Sequence, residues 1–85
     1  MNPKQLTDER GTTHGSFEQN AQISQELKAY FYKYQAHDEM NLVQREALDM
    51  IALKLSRILS GHTNFRDHWD DIAGYAHLAA ESSNK

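Results

Sequence analysis

Four acids fall in pairs at helical spacing. Glu46 and Asp49 are three residues apart, and Asp67 and Asp71 are four apart. At about 100° of rotation per residue, each pair lies within roughly 60° on one side of a helix. Like charges so placed repel one another. Asp67 has an ordinary use, because an acid in a first helical turn meets the positive end of the helix dipole. Asp71 lies one turn further in, beside Asp70, and has no such excuse. Gly74 and Leu78 continue its line, and a glycine inside a helix costs roughly 1 kcal/mol relative to alanine, so it is usually kept where a backbone or ligand comes close. Two helices that set these pairs against each other would gather four carboxylates, an arrangement that needs a cation to offset the repulsion. Oxygen donors in a chain without cysteine select a hard divalent ion, with magnesium the natural one. The plain alternative is that each pair belongs to a solvated face.

Other chemistries are poorly served. The five histidines, His14, His37, His62, His68 and His77, form no i, i+4 pair within one helix, and no HExxH is present, which argues against a zinc enzyme. The serines lie in caps and at the carboxyl end, without a nucleophile-elbow pattern. His14 stands in the run RGTTHG, whose glycines and hydroxyls suit a loop with N–H groups that approach an anion; a disordered arm is the alternative.

The elements that must position the acids are all helical. Residues 1–15 hold the only proline and two of the four glycines in a polar, aperiodic run, and read as a flexible amino-terminal arm. From Ser16, with Gln19 three residues on as a capping-box signature, apolar residues recur at helical spacing to about Tyr34. The polar stretch QAHDEMN follows, with Asp38 or Asn41 as a cap. A second helix then runs from about Met40 and stops at Gly61. Asn64 is the expected cap of a third, whose apolar side carries Trp69, Ile72, Ala73, Ala76, Ala79 and Ala80, with Trp69 read as core. The chain thus divides into the arm 1–15, a single helical domain 16–82 and a polar tail 83–85.

Short connections make antiparallel neighbours, so the expected fold is all-α, a three-helix antiparallel hairpin bundle. Helix two is apolar over more than half its circumference, more than its neighbours can cover. The bundle is therefore expected to be completed by oligomerisation, as a dimer or a tetramer. Tyr30, Phe31, Tyr32 and Tyr34 occupy both sides of the end of helix one, so some of them face a partner chain or a base.

The chain has 85 residues, enough for one small domain. Nine basic residues against twelve acidic ones leave a net charge of −3, and the basic residues are scattered, so a DNA or RNA surface is not expected. No apolar run reaches membrane-spanning length, and the amino terminus lacks a secretory pattern, which points to a soluble chain in the cytoplasm.

The pattern Glu46-x-x-Asp49, then His68-x-x-Asp71 followed by Ile72 and Tyr75, resembles the paired acidic helices of the all-α nucleotide pyrophosphohydrolases, the MazG and dimeric dUTPase group. The segments ERGTTHGSF, QREALDMIALKLSRILSG and DHWDDIAGYAHLAA look like a family of small phage and prophage proteins over about Glu9 to Ala80. The first likeness implies that four acids on two helices hold magnesium, while an activated water cleaves a nucleoside triphosphate between its α and β phosphates. By position it makes Glu46, Asp49 and Asp71 metal ligands. Position 68 is His where the pattern has Glu, with Asp67 the replacement one residue back. Arg45 stands where the fuller motif has a second acid. Lys54, Arg57 and Arg66, with His14 from the arm, are the candidates for phosphate, or else ordinary ion-pair partners. Catalytic residues are not assigned.

Three functions fit this sequence: a magnesium-dependent nucleotide pyrophosphohydrolase, a module of the same build that sequesters a nucleotide without chemistry, and an inhibitor that docks on a host protein.

Overall fold

The computed structural model describes residues 16–83. Four helices make up this region: α1 (Phe17–Tyr32), the single turn α2 (Gln35–Asp38), α3 (Leu42–Leu59) and α4 (Arg66–Ser83). There is no strand among the described residues.

Each boundary has a local cause. Ser16 is extended and its Oγ accepts the Gln19 N–H at 3.0 Å, which starts α1. The helix ends at Tyr32, two residues sooner than periodicity suggests, and α2 forms within the polar connector with its His37 ring edge-on to Tyr32 at 4.7 Å. Asn41 opens α3 with a full capping box: its side chain accepts the Gln44 N–H at 2.8 Å, and the Gln44 side chain accepts the Asn41 N–H at 2.9 Å. Arg45 fastens the approach, donating to the carbonyls of Asp38 at 2.6 Å and Met40 at 3.1 Å. Beyond Leu59 the chain reverses through Gly61 at φ +138°, a conformation that side-chain-bearing residues resist. Asn64 does not serve as the expected cap, since α4 begins only at Arg66.

α3 is the spine. Its stripe Asp49, Ala52, Ser56 and Ser60 faces α1, with the Tyr32 hydroxyl on Asp49 at one end and Ser60 hydrogen-bonded to Asn20 at the other, so the two helices are antiparallel. Its stripe Gln44, Ala47, Lys54 and Ile58 faces α4, also antiparallel, with Asn41 and Gln44 bonded to Ser82 and Ser83 and Lys54 to Asp71. α1 and α4 hardly meet each other. The interior is accordingly thin: among the described residues Ala47, Ala52 and Ile58 are the buried apolar ones, with Ser24 and Ser56 also buried. Ser56 is satisfied by donating to the Leu53 carbonyl at 2.6 Å. No helix of the described residues is long and apolar enough to cross a membrane.

Because Asn41 both caps α3 and holds the last turn of α4, Asn41→Ala should lose more than a peptide-like cap. A loss of about 1–2 kcal/mol is expected, read as a lower urea midpoint at unchanged slope.

Candidate functional site

Two helices flanking α3 on nearly opposite sides leave two of its stripes open. One of them carries Glu46, Met50, Leu53 and Arg57, and the acids singled out by spacing lie along or beside it.

On the α1 edge, the Tyr32 hydroxyl donates to Asp49 Oδ1 at 3.1 Å. Desolvation pushes the Tyr32 phenol above its ordinary range, and the hydrogen bond to Asp49 and the charges of Asp49 and Glu46 push the same way. Both carboxylates are therefore close enough to Tyr32 to oppose a second negative charge. On the α4 edge, Lys54 Nζ lies 2.9 Å from Asp71 Oδ2. The Lys54 side chain is only 14% exposed, against 46% for Asp71, so a largely covered side chain carries its ammonium to a half-open carboxylate. Asp67 is exposed in the first turn of α4, at the positive end of the helix dipole.

All four acids border one open face, but they do not close on one point. Among the described residues, no three His, Asp or Glu side chains come together in a way that could hold a metal ion. The reason is visible in the register: Lys54 lies between the two pairs, and its ammonium takes the place beside Asp71 that an ion would need. Glu46 and Asp49 remain as two oxygen donors a turn apart. That number suits magnesium, which commonly binds one or two carboxylates and completes its octahedron with water and phosphate oxygens.

Position 68, where the nucleotide-hydrolase pattern has a metal ligand, faces inward. His68 is 2% exposed and packs edge-on against Phe65 at 4.8 Å, in a ring cluster with His62 at the α3–α4 turn. Arg57 is half-buried on the open stripe of α3. Arg66 is turned to Asp70 at 3.3 Å, an exposed pair one turn along α4. His14 and the rest of the arm 1–15 lie outside the described residues. At Gly74 a β-carbon would meet no described residue within 4 Å, so none of the described residues requires the glycine there.

Sequence reasoning missed Tyr32 as a partner of Asp49. Its spacing within α1 marks it as lying opposite Tyr30 and Tyr34, but only the antiparallel register brings it to Asp49.

A family model for a domain of unknown function, DUF6378, matches residues 3–83 and thus spans all four helices and the acid face. The chain belongs to that family. No curated protein and no solved structure matches it.

The second open stripe of α3 in this DUF6378 domain is apolar: Leu48, Leu55 and Leu59. On the α1 side it is bordered by Phe31 and by Tyr30 and Tyr34, whose hydroxyls hydrogen-bond at 3.2 Å. On the α4 side it meets Ala76 and Ala80. Two grooves of about 360 and 420 Å³ open here and share Met40 and Leu48, so they form one surface. Trp69 lies on the same edge of α4. It is not core, as the periodicity suggested, but 49% exposed, with its indole N–H donating to the Thr63 carbonyl at 2.9 Å. Nothing from α1 reaches across α3 to cover it.

Proposed function

We propose that this protein binds a nucleoside phosphate on the face of α3 that carries Glu46, Asp49, Lys54 and Arg57, where Glu46 and Asp49 are the residues that would hold magnesium. One observation carries the reading: a carboxylate pair and two cations border a single open face, and Lys54 is held there by one half-exposed acid that a phosphate could replace. The acids offer what magnesium requires and the cations what phosphate requires. Tyr32 keeps Asp49 in place, and Lys54 and Arg57 supply positive charge at the edge.

Magnesium, when bound, would supply an activated water and neutralise phosphate charge, the chemistry that releases pyrophosphate from a nucleoside triphosphate. The resemblance of the acid pattern to the MazG group supports this enzyme reading, and the resemblance to phage proteins supports reading the host cytoplasm as its setting. The incomplete convergence of the four acids favours a second reading, a module of the same build that sequesters a nucleotide without turnover. An inhibitor docking on a host protein is the third.

A thermal-shift series over the common nucleoside mono-, di- and triphosphates, with and without magnesium, tests the binding claim. A ligand at a hundred times its Kd should stabilise the native state by about 2.7 kcal/mol. The rise should require nucleotide and metal together, and Asp49→Asn should reduce it. Pyrophosphate release under the same conditions separates enzyme from binder. No shift with any nucleotide would overturn the binding proposal and leave the host-protein reading to be pursued.

A further inference from the structure

We infer that the apolar face opposite the acids is the docking surface for a second copy of this chain, paired antiparallel about a two-fold axis near the middle of α3. The inference is independent of the nucleotide reading.

The first argument is need. Among the described residues three apolar side chains are buried, two of them alanine, which is a small interior, and domains only slightly smaller than this commonly rely on oligomerisation, metals or disulfides. Cysteine is absent from the sequence.

The second is composition. Leu48, Leu59, Tyr30, Met40 and Trp69 are of the types found at the centres of interfaces, where tryptophan and tyrosine anchor and charged residues are depleted. Apart from Lys33, whose Nζ lies 4.8 Å from the centroid of the Tyr30 ring at the α1 border, the residues named on this face carry no charge. Two chains of net charge −3 can therefore meet here without setting like charges against each other, whereas the acid face would repel its own copy.

The third is shape. A two-fold interface must carry both the projection and the recess that receives it. Leu59 is 65% exposed and projects from one end of the stripe. Leu48, toward the other end, lies in the recess shared by the two grooves. An antiparallel pairing centred midway between them seats Leu59 of each copy at Leu48 of the other, and Ala76 and Ala80 keep the flank low enough for the approach. From Leu48 to Leu59 the face runs roughly 17 Å at 1.5 Å per residue. Three helices spaced about 9 Å apart make it roughly 27 Å wide. Roughly 17 by 27 Å is about 460 Å² in projection, smaller than the ~800 Å² of accessible surface that a standard interface buries on each partner, which suits a dimer that dissociates on dilution.

The pairing leaves Glu46, Asp49, Lys54 and Asp71 facing outward on both copies. The test is sedimentation of the full-length chain and of Leu59→Glu over a dilution series, with helical content and the emission of Trp69, the single tryptophan, followed in parallel. The wild type should be a dimer or a dimer of dimers at high micromolar concentration, and Trp69 emission should move to longer wavelength as dilution dissociates it. Leu59→Glu should keep its helical content, since Leu59 is largely exposed within one chain, and should self-associate at least roughly tenfold more weakly. Glu46→Gln, on the opposite face, should associate as the wild type does. A monomeric wild type at high concentration would overturn the inference and assign the face to a different partner. Equal association of Leu59→Glu would overturn the choice of face. Should Leu59→Glu fail to fold, the Trp69 shift on dilution of the wild type still decides, because an emission maximum unchanged through dissociation puts Trp69 outside the interface.

Discussion

Ala52→Leu should cost this protein about 2–3 kcal/mol, the upper range for overpacking a well-filled interior. Ala52 is fully buried, on the α3 stripe that faces α1 between Asp49 and Ser56. Ser24 and Ser56 are buried with it, so small side chains lie at the α1–α3 contact. Three added carbons must push α1 outward, which would also stretch the Tyr32–Asp49 hydrogen bond at one end of the contact and the Asn20–Ser60 bond at the other. A domain of this size has a total stability of only about 4–13 kcal/mol, so the loss is a large fraction of it. Urea unfolding followed by circular dichroism should show the lower midpoint. Ala76→Leu, on an exposed alanine of α4, provides the contrast: with a single chain in isolation it should stay within about 0.5 kcal/mol. Equal, small effects at both positions would mean that the α1–α3 contact is loose.

Asp71→Asn should destabilise the metal-free protein, by about 1 kcal/mol, although spacing alone suggests the reverse. Asp67 and Asp71 at i, i+4 repel, and removing one charge relieves that repulsion. The larger consequence is on Lys54, whose side chain is mostly covered and whose ammonium loses its partner at 2.9 Å. The expected cost falls between the near-zero value of exposed pairs and the several kcal/mol of fully buried ones, because Asp71 itself is half open to water. Asp70→Asn breaks the more exposed Arg66–Asp70 pair and should change stability by about 0.5 kcal/mol or less. The same variant bears on the proposed function. Freed from Asp71, Lys54 is available to phosphate, and nucleotide binding should tighten several-fold; weaker binding would place Asp71 itself among the metal ligands. Calorimetric titration with and without magnesium separates these outcomes.

The amino-acid sequence by itself determined the three long helices and about half of the helix ends. Apolar residues three and four apart, the Ser16 and Asn41 caps and the turn at Gly61 act through neighbours within one helical turn, so they are legible without knowing what packs on what. Where local signals compete, the reading slipped: α1 ends at Tyr32 rather than Tyr34, α2 forms in a stretch too polar and short to announce a helix, and α4 begins past Asn64. The acid pairs were visible as pairs. What they face was not, because facing depends on the rotation and register of one helix against another. Only the tertiary structure set Tyr32 on Asp49, put Lys54 rather than a fourth carboxylate against Asp71, turned His68 inward and left Trp69 half exposed. Each of these is a contact between residues distant in the chain or a consequence of the helix crossings. A change of one residue in register rotates a helix by about 100° and would redistribute all four, while leaving every local signal in the sequence as it is.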